Sequence, residues 1–212
     1  MEDDPRHATT PPPLEDVLVD LAGSDDSSRA HLMLEEFSGV DHAVYQAVAA
    51  TPTPTLDVPL RHLSNTANRS VLWLAVAGVL AGVGGQRGRR AALAGLTAVG
   101  VASVAVNLGL KQLSKRERPD RLGAGVIGAR HTQMPRSSSF PSGHSASGFA
   151  FATAVGHEIP ALAMPLRLLA ASVAYSRVHT GVHYPGDTIV GSLVGGAVGS
   201  IVGTGFARTR RR

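Results

Sequence analysis

Cysteine is absent from all 212 residues, and acidic residues become scarce beyond residue 57. Without cysteine the chain can form neither a disulfide nor a thiolate metal site. Residues 1–57 hold twelve acidic and two basic residues, whereas residues 58–212 hold four acidic and eighteen basic residues. The basic residues of the second part flank long uncharged runs, so we expect membrane lipids and phosphate as partners and no nucleic acid.

The N-terminal part lacks the features of a signal peptide, because its first residues are acidic and rich in proline instead of basic and then apolar. We predict a disordered tail over residues 1–30. Residues 31–50 show apolar positions near the helical period, and a second short surface helix is predicted over residues 56–68. We predict that residues 31–69 form amphipathic helices at a membrane interface, and packing as soluble helices is the alternative.

Charge is missing altogether from three later runs, which cover residues 70–86, 91–110 and 188–207. A helix of about 20 apolar residues spans the roughly 30 Å of bilayer hydrocarbon. Two weaker apolar segments, residues 140–157 and 159–176, lie between the second and third runs. A soluble protein with a buried helical bundle is the alternative, but three uncharged runs of this length favour a membrane protein.

The predicted fold class is therefore all-α, an integral-membrane helical bundle with about five transmembrane helices over residues 70–207 and a basic tail over residues 208–212. Glycine and alanine dominate the five segments, and Gly191, Gly195 and Gly199 recur at four-residue spacing. Small residues at this spacing allow two helix backbones to approach closely in lipid.

Side chains suited to chemistry concentrate between the fourth and fifth segments, in the stretch from Ser176 to Asp187. His183 and Asp187 are four residues apart, so the carboxylate can hold Nδ1–H of the imidazole and leave Nε2 free as a nucleophile. Arg177 supplies a planar, permanently charged guanidinium that suits phosphate oxygens. This arrangement predicts a phosphoryl-transfer centre, and a polar, histidine-rich loop between two helices is the alternative.

A second motif follows the second apolar run. Lys111 ends that run and Arg118 stands seven residues later, so on a continuing helix both cations would face one anion. Basic residues that merely flank the membrane are the alternative for this motif. We interpret three neighbours in that way, namely Lys115, Arg116 and Arg121.

A third motif, Pro141-Ser142-Gly143-His144, opens the next apolar segment. Ser142 can cap a helix that starts there, and Gly143 allows the backbone to come close to a ligand. The free N–H groups of that helix start would face an anion, with His144 in the first turn. A simple helix start with a surface imidazole is the alternative.

Together the three motifs resemble the signature of the type 2 phosphatidic acid phosphatase family. The resemblance covers roughly residues 35–207, and the family includes membrane lipid phosphatases, bacterial acid phosphatases and vanadium haloperoxidases. If the five segments span in turn, all three motifs reach the same membrane face. The matching elements are Lys111-x6-Arg118-Pro119, Pro141-Ser142-Gly143-His144 and Ser176-Arg177-x5-His183-x3-Asp187.

The resemblance implies that His183 attacks phosphorus and forms a phosphohistidine, with Asp187 orienting the ring. His144 would protonate the leaving alkoxide and then help to activate water. No metal and no cofactor are implied, because three cations can stabilise the transferring group. His179 stands outside the pattern, and we interpret it as a loop residue or a support for the site. The implied phosphate-binding residues are Lys111, Arg118, Ser142, Gly143 and Arg177.

The implied function is a membrane lipid phosphatase whose substrate is a polyprenyl phosphate or diphosphate, phosphatidate, or a polyprenyl-phosphoryl sugar phosphate. A vanadate-dependent haloperoxidase and a non-catalytic lipid-phosphate-binding protein are the alternatives. Arg87, Arg89 and Arg90, in the predicted first connecting loop, lie on the face opposite the site, as does the basic tail. Because short positive loops and tails stay cytoplasmic, we predict an extracytoplasmic active site.

Overall fold

The computed structural model describes residues 26–210, and within that range the regular structure is helical throughout. Residues 1–25, most of the predicted tail, lie outside the described residues. The longer helices are α1 (Asp26–Ala50), α2 (Pro54–Thr66), α3 (Val71–Val83), α4 (Gly85–Val104), α5 (Gly143–Glu158), α6 (Ala163–His179) and α7 (Pro185–Arg210). Helix α4 continues through a π-helical turn, Ala105–Leu110, and ends at Leu113.

The chain divides into two compact units, one that ends at Val40 and one that runs from Asp41 to Arg212. In the first unit, the described part of α1 exposes apolar side chains, among them Leu34 and Phe37. The predicted helix over residues 31–50 is present as part of α1, which begins at Asp26. Its location at a membrane interface stays a prediction.

Helix α5 forms the centre of the second unit and packs against α4, α6 and α7. The largest cluster of buried side chains joins α3 and α5, where the ring centroids of Trp73 and Phe151 lie 5.3 Å apart. In a second cluster, which joins α4 to α5, every fully buried residue is an alanine. Small side chains at this interface let the two backbones approach closely, as predicted from composition.

The glycine stripe of α7 packs directly on the backbone of α5. A Cβ atom added at Gly191, Gly195 or Gly199 would lie within 3.0 Å of a backbone carbonyl oxygen. The three carbonyl groups belong to Ser142, Ala146 and Ala150, which share the same four-residue spacing. The predicted close helix contact is therefore confirmed, and its partner is α5.

Two described helices are long and apolar enough to cross a membrane, Gly85–Leu113 and Pro185–Thr209. Helices α2 and α3 meet at a 67° bend and would add a third span if the bent pair counts as one. The predicted all-α membrane bundle is thus confirmed, but the count of about five spans is not. Each of the five predicted segments does form a helix, although α5 and α6 have only 16 and 17 residues.

The helix predicted at the surface over residues 56–68 corresponds to α2, which exposes most of its residues and buries Asp57 and Ser64, two partners of buried arginines. The predicted loop position of the basic residues 87, 89 and 90 is wrong, because they lie in the first two turns of α4. The chain reverses just before them, at Gly85, whose φ of 56° suits glycine.

Candidate active site

The turn between α6 and α7 places His183 at the floor of a cavity. Helix α6 ends at His179, and Gly181 follows with φ 67°, a left-handed conformation that favours glycine. A Cβ atom at Gly181 would also lie within 3.0 Å of the Arg121 side chain. The backbone N–H of His183 donates to the carbonyl oxygen of Arg177 at 3.1 Å. The His183 side chain is buried, with 1% of its surface exposed.

The ring of His183 is held on one side and faces cations on the other. Its Nδ1 lies 3.4 Å from Oδ2 of Asp187, which stands in the first turn of α7. Its Nε2 lies 3.3 Å from Nη1 of Arg118. The predicted contact between the carboxylate and Nδ1 is therefore present, and Nε2 is directed toward Arg118, one of the predicted phosphate-binding residues.

Asp187 has further partners. Its Oδ2 accepts from the backbone N–H of Tyr184 at 2.9 Å and from the Ser139 hydroxyl, and its Oδ1 accepts from Arg116 Nη1 at 2.8 Å. Arg116 also binds Asp41 at 2.6 Å, and its guanidinium lies 4.3 Å from the ring centre of Tyr184. The prediction that Arg116 only flanks the membrane is wrong, because Arg116 pairs with the buried carboxylate of Asp187.

The predicted phosphate-binding cations converge from three segments. The helix that carries Lys111 ends at Leu113, so the expected continuing helix to Arg118 is absent. The chain after Leu113 is irregular and brings Arg118 next to His183. The guanidinium of Arg118 donates to the carbonyl oxygens of Ser137, Val182 and Ser138 at 2.9–3.1 Å. Lys111 Nζ donates to the Ser137 hydroxyl at 3.3 Å. Arg177 is buried behind them, and its Nη1 donates to Ser64 Oγ at 2.6 Å.

The Pro-Ser-Gly-His motif begins α5 as predicted. Ser142 is the N-cap residue, and its hydroxyl accepts from the backbone N–H of Ser145 at 3.4 Å. The Ser142 backbone N–H donates to the Asp187 carbonyl oxygen at 2.9 Å, which ties the first turns of α5 and α7 together. His144 Nε2 lies 2.9 Å from Oδ1 of Asn68, a partner outside the predicted motifs.

These elements enclose a cavity of about 240 Å³. Five of the eight predicted site residues line it, namely Lys111, Arg118, Gly143, His144 and His183. The other three are buried and bonded to the lining or to one another, namely Ser142, Arg177 and Asp187. The structure therefore brings the whole predicted set to one place at one end of the bundle.

Burial in this cation-rich place lowers the pKa of His183 from 6.5 to about 4. Loss of hydration is the largest cause, and the charges of Arg118 and Arg177 act in the same direction, while the hydrogen bond that the ring donates to Asp187 opposes them. The imidazole is therefore neutral at pH 7, and its Nε2, which lies beside Arg118, carries the lone pair that a nucleophilic histidine requires.

His179 belongs to a separate buried cluster. It is the last residue of α6 and not a loop residue, and its Nε2 lies 2.9 Å from Thr53 Oγ1 and 3.2 Å from Asp57 Oδ1. Arg130 donates to the same Asp57 oxygen at 2.8 Å. Arg130 also donates to carbonyl oxygens at the end of α1, so this cluster joins α1, α2 and α6.

Reasoning from the sequence missed Asn68, Ser64 and Ser139 as partners of the predicted residues. Each is a short polar side chain with no motif of its own, and each contact joins residues more than 40 positions apart in the chain. Arg116 carried a weak signal, since it follows Lys111 and precedes Arg118. Its role depends on Asp41, a residue of α1, which local spacing cannot reveal.

Comparison with known proteins yields consistent matches. A sequence profile of the PAP2 superfamily matches residues 91–211. The decaprenylphosphoryl-5-phosphoribose phosphatase of Mycobacterium tuberculosis is 36% identical over 169 residues, which cover 77% of this chain and 90% of the relative.

Two solved structures share the fold. The transmembrane PAP2 type phosphatidylglycerolphosphate phosphatase of Bacillus subtilis matches with a TM-score of 0.64 at 20% identity, covering 94% of this chain and 95% of that chain. LpxE of Aquifex aeolicus matches with a TM-score of 0.58 at 26% identity, covering 77% and 94%. The resemblance seen in the three motifs is confirmed, and the chain belongs to the PAP2 superfamily.

Proposed function

We propose that this chain is an integral-membrane phosphatase that hydrolyses the phosphate monoester of a polyprenyl-phosphoryl sugar phosphate through a phosphohistidine. The observation that carries the chemistry is the orientation of His183, whose Nδ1 is held by Asp187 while Nε2 faces Arg118 in the cavity. The family and its named relatives support the class of lipid phosphatase. The residue roles are our proposal.

In the first step Nε2 of His183 attacks phosphorus, and the bond between phosphorus and the ester oxygen breaks. Lys111 and Arg118 line the cavity and neutralise the negative charge of the phosphoryl oxygens, with Arg177 behind them. Phosphoryl transfer depends mainly on such positioning and charge stabilisation. Asp187 stabilises the positive charge that develops on the ring, and Arg116 and Ser139 keep its carboxylate in place.

His144 completes the cycle as general acid and then general base. In its protonated form the ring has two N–H groups, so one can stay on Asn68 while the other protonates the leaving alkoxide. The neutral ring then accepts a proton from water, which attacks the phosphohistidine and breaks the bond between nitrogen and phosphorus. Inorganic phosphate leaves, and His183 returns to its neutral state.

The substrate class rests on the relative whose printed name is decaprenylphosphoryl-5-phosphoribose phosphatase and which matches over most of both chains. Such a substrate combines an isoprenoid chain with a phosphorylated sugar. An apolar groove of about 430 Å³ is lined by residues that include Val178 and Pro185, on either side of the nucleophile turn, and Ile189 and Leu193 on α7. We place the isoprenoid chain in this groove.

We further propose that all five segments of residues 70–207 span the membrane, with residues 31–69 at the interface on the active-site side. Arg90 Nη2 donates to the Phe206 carbonyl oxygen at 2.8 Å, so the basic start of α4 and the basic end of α7 lie together. This cluster is at the end opposite the cavity. His144, which lines the cavity, lies in the first turn of α5, whereas Glu158, the last residue of α5, lies 3.7 Å from Arg90. Positive charge favours the cytoplasm, so the active site is extracytoplasmic.

The proposed activity is tested by phosphate release from a panel of lipids by the purified protein. We expect the highest kcat/KM for farnesyl-phosphoryl-5-phosphoribose, a short-chain version of the substrate, relative to phosphatidate, phosphatidylglycerol phosphate and farnesyl diphosphate. Activity should survive EDTA, and vanadate should inhibit by occupying the phosphate site. Strict dependence on Mg²⁺ would contradict the mechanism, and preference for another lipid would contradict the substrate class.

The proposed orientation is tested by placing a single cysteine after Arg212 in this cysteine-free chain. We expect protection from a membrane-impermeant thiol reagent in intact cells and labelling once the cells are opened. Labelling in intact cells would place the C-terminus outside and reverse the orientation. A cysteine at the exposed residue Ser28 serves as the opposite control, because an odd number of spans puts the two ends on different faces.

A further inference from the structure

The break between α2 and α3 holds two residues in an unfavourable conformation. Arg69 and Ser70 have φ of 52° and 60°, and among the described residues they alone combine positive φ with a side chain larger than that of glycine. Residues other than glycine rarely adopt this conformation, and strain of this kind persists where the surrounding structure requires it, often at functional sites. The break lies at the 67° bend between the two helices.

This strained turn forms part of the catalytic cavity. Arg69 and Ser70 line the same cavity as His144 and His183, and the preceding residue, Asn68, binds His144 Nε2 at 2.9 Å. His183 is buried at the floor, whereas Arg69 is exposed. The bend thus presents a guanidinium at the rim of the site.

Arg69 differs from the other arginines around the site in having no acceptor within the part of the chain that the structure describes. Arg118 is held by three carbonyl oxygens, Arg177 by Ser64, and Arg116 by two carboxylates. Those arginines are committed to fixed positions. Arg69 keeps all its donors available for a ligand that enters the cavity.

We propose that Arg69 binds the second anionic group of the substrate, the phosphodiester that links the sugar to the isoprenoid chain. This inference rests on the proposed function, because the proposed polyprenyl-phosphoryl sugar phosphate carries a phosphodiester beside the reacting monoester. The monoester already has Lys111, Arg118 and Arg177 at the floor. An unpaired guanidinium at the rim matches a second phosphate group one sugar away, and the planar fork can bind two of its oxygens. Arg69 is thus a specificity-determining residue.

The test compares two substrates that differ only in the second anion. One is farnesyl-phosphoryl-5-phosphoribose, and the other is a farnesyl riboside 5-phosphate in which a neutral linkage replaces the diester. For Arg69→Gln we expect kcat/KM on the diester substrate to fall roughly 10- to 100-fold, the range for a lost hydrogen bond to a charged group. On the neutral substrate we expect a loss at least ten times smaller. The loss should be mainly in KM, because the diester does not change during the reaction.

Two variants control the comparison. Arg69→Lys keeps the charge but not the two-pronged contact, so its loss on the diester substrate should be intermediate. Arg61→Gln removes an equal charge from α2, away from the cavity lining, and should not change the ratio between the two substrates. Glutamine and arginine meet the same backbone cost at φ 52°, so the Arg69→Gln variant should fold as the wild type does.

The outcomes separate the two proposals. Equal losses on both substrates, as expected if Arg69 only contacts lipid headgroups of the bilayer, would overturn the assignment of Arg69 and leave the proposed function standing. The same ratio change in Arg61→Gln would also overturn it. If the wild-type enzyme hydrolyses phosphatidate but neither of the two ribose phosphates, the proposed substrate class is wrong, and the assignment of Arg69 is wrong with it.

Discussion

Two buried histidines, four residues apart in the chain, each pair with a carboxylate, and the two pairs differ in how the ring is oriented. His183 stands 3.4 Å from Asp187, and His179 stands 3.2 Å from Asp57. Each carboxylate also binds an arginine at 2.8 Å, Arg116 in the first pair and Arg130 in the second. By residue type, distance and burial the two pairs are nearly identical.

The difference lies in which ring nitrogen is held. Asp187 contacts Nδ1 of His183, so Nε2 is directed toward Arg118 in the cavity. In the other pair Asp57 and Thr53 both contact Nε2 of His179, and its Nδ1 is buried without a hydrogen-bond partner. A nucleophile needs a lone pair directed toward the space that the substrate enters, and of these two histidines only His183 lines the cavity. The residue types alone do not distinguish the two pairs, whereas the orientation of the ring does, and on that ground we propose His183 as the nucleophile.

The largest effect should come from removing the nucleophile of the first pair. We expect His183→Ala to lower kcat by roughly 10⁴-fold or more, because covalent catalysis has no substitute route here. Brief mixing with ³²P-labelled substrate should leave an acid-labile phosphoenzyme in the wild type and none in this variant. Asp187→Asn should retain partial activity, since the amide can hold the ring but stabilises its positive charge less.

The matched control is His179→Ala, which removes the same side chain from the second pair. We expect it to keep the phosphoenzyme and to retain kcat within about tenfold, with a lower melting temperature from lost packing. A phosphoenzyme that survives in His183→Ala and disappears in His179→Ala would reverse our assignment of the two pairs.

The second pair should matter for stability. Asp57→Asn leaves Arg130, which is 2% exposed, without its opposite charge, and removing one partner of a buried ion pair costs about 3–5 kcal/mol. We expect a clear fall in melting temperature and little change in kcat per folded molecule. Replacing both residues, as in Asp57→Asn with Arg130→Met, should recover part of the loss because no unpaired charge remains. Unchanged stability in the single variant would show that the cluster is not structural.

A smaller effect should appear in the pH dependence of folding. The pKa of His183 falls to about 4 in the folded protein, so as pH drops from 6.5 toward 4 only the unfolded chain binds this proton. At 1.36 kcal/mol per pKa unit, the folded state should lose up to about 3 kcal/mol over this window. Melting temperatures of wild type and His183→Ala should therefore approach or cross as pH falls. A constant difference between them would contradict the buried neutral ring.

Much of the site follows from the sequence because its residues stand at helix ends. Lys111, His144 and Asp187 each terminate or begin an apolar segment, so helices that alternate in direction bring them to one face. Contacts made by Asn68, Arg69 and Arg116 do not follow, because they depend on a helix break and on a partner in α1. An arginine beside an apolar segment has the same local pattern whether it meets lipid headgroups or a buried carboxylate.

The glycine stripe of α7 also affects the geometry of the proposed active site. Each of its three glycines fits over one carbonyl group of α5, and this register leaves no room for a Cβ atom at any of the three. The same register sets the distance between Ser142 and Asp187, at the ends of these helices beside the cavity. Gly195→Ala should therefore lower kcat as well as stability, since a displacement of about 1 Å can cost about 100-fold in rate. Gly196→Ala, which has open space at its Cβ position, should change neither.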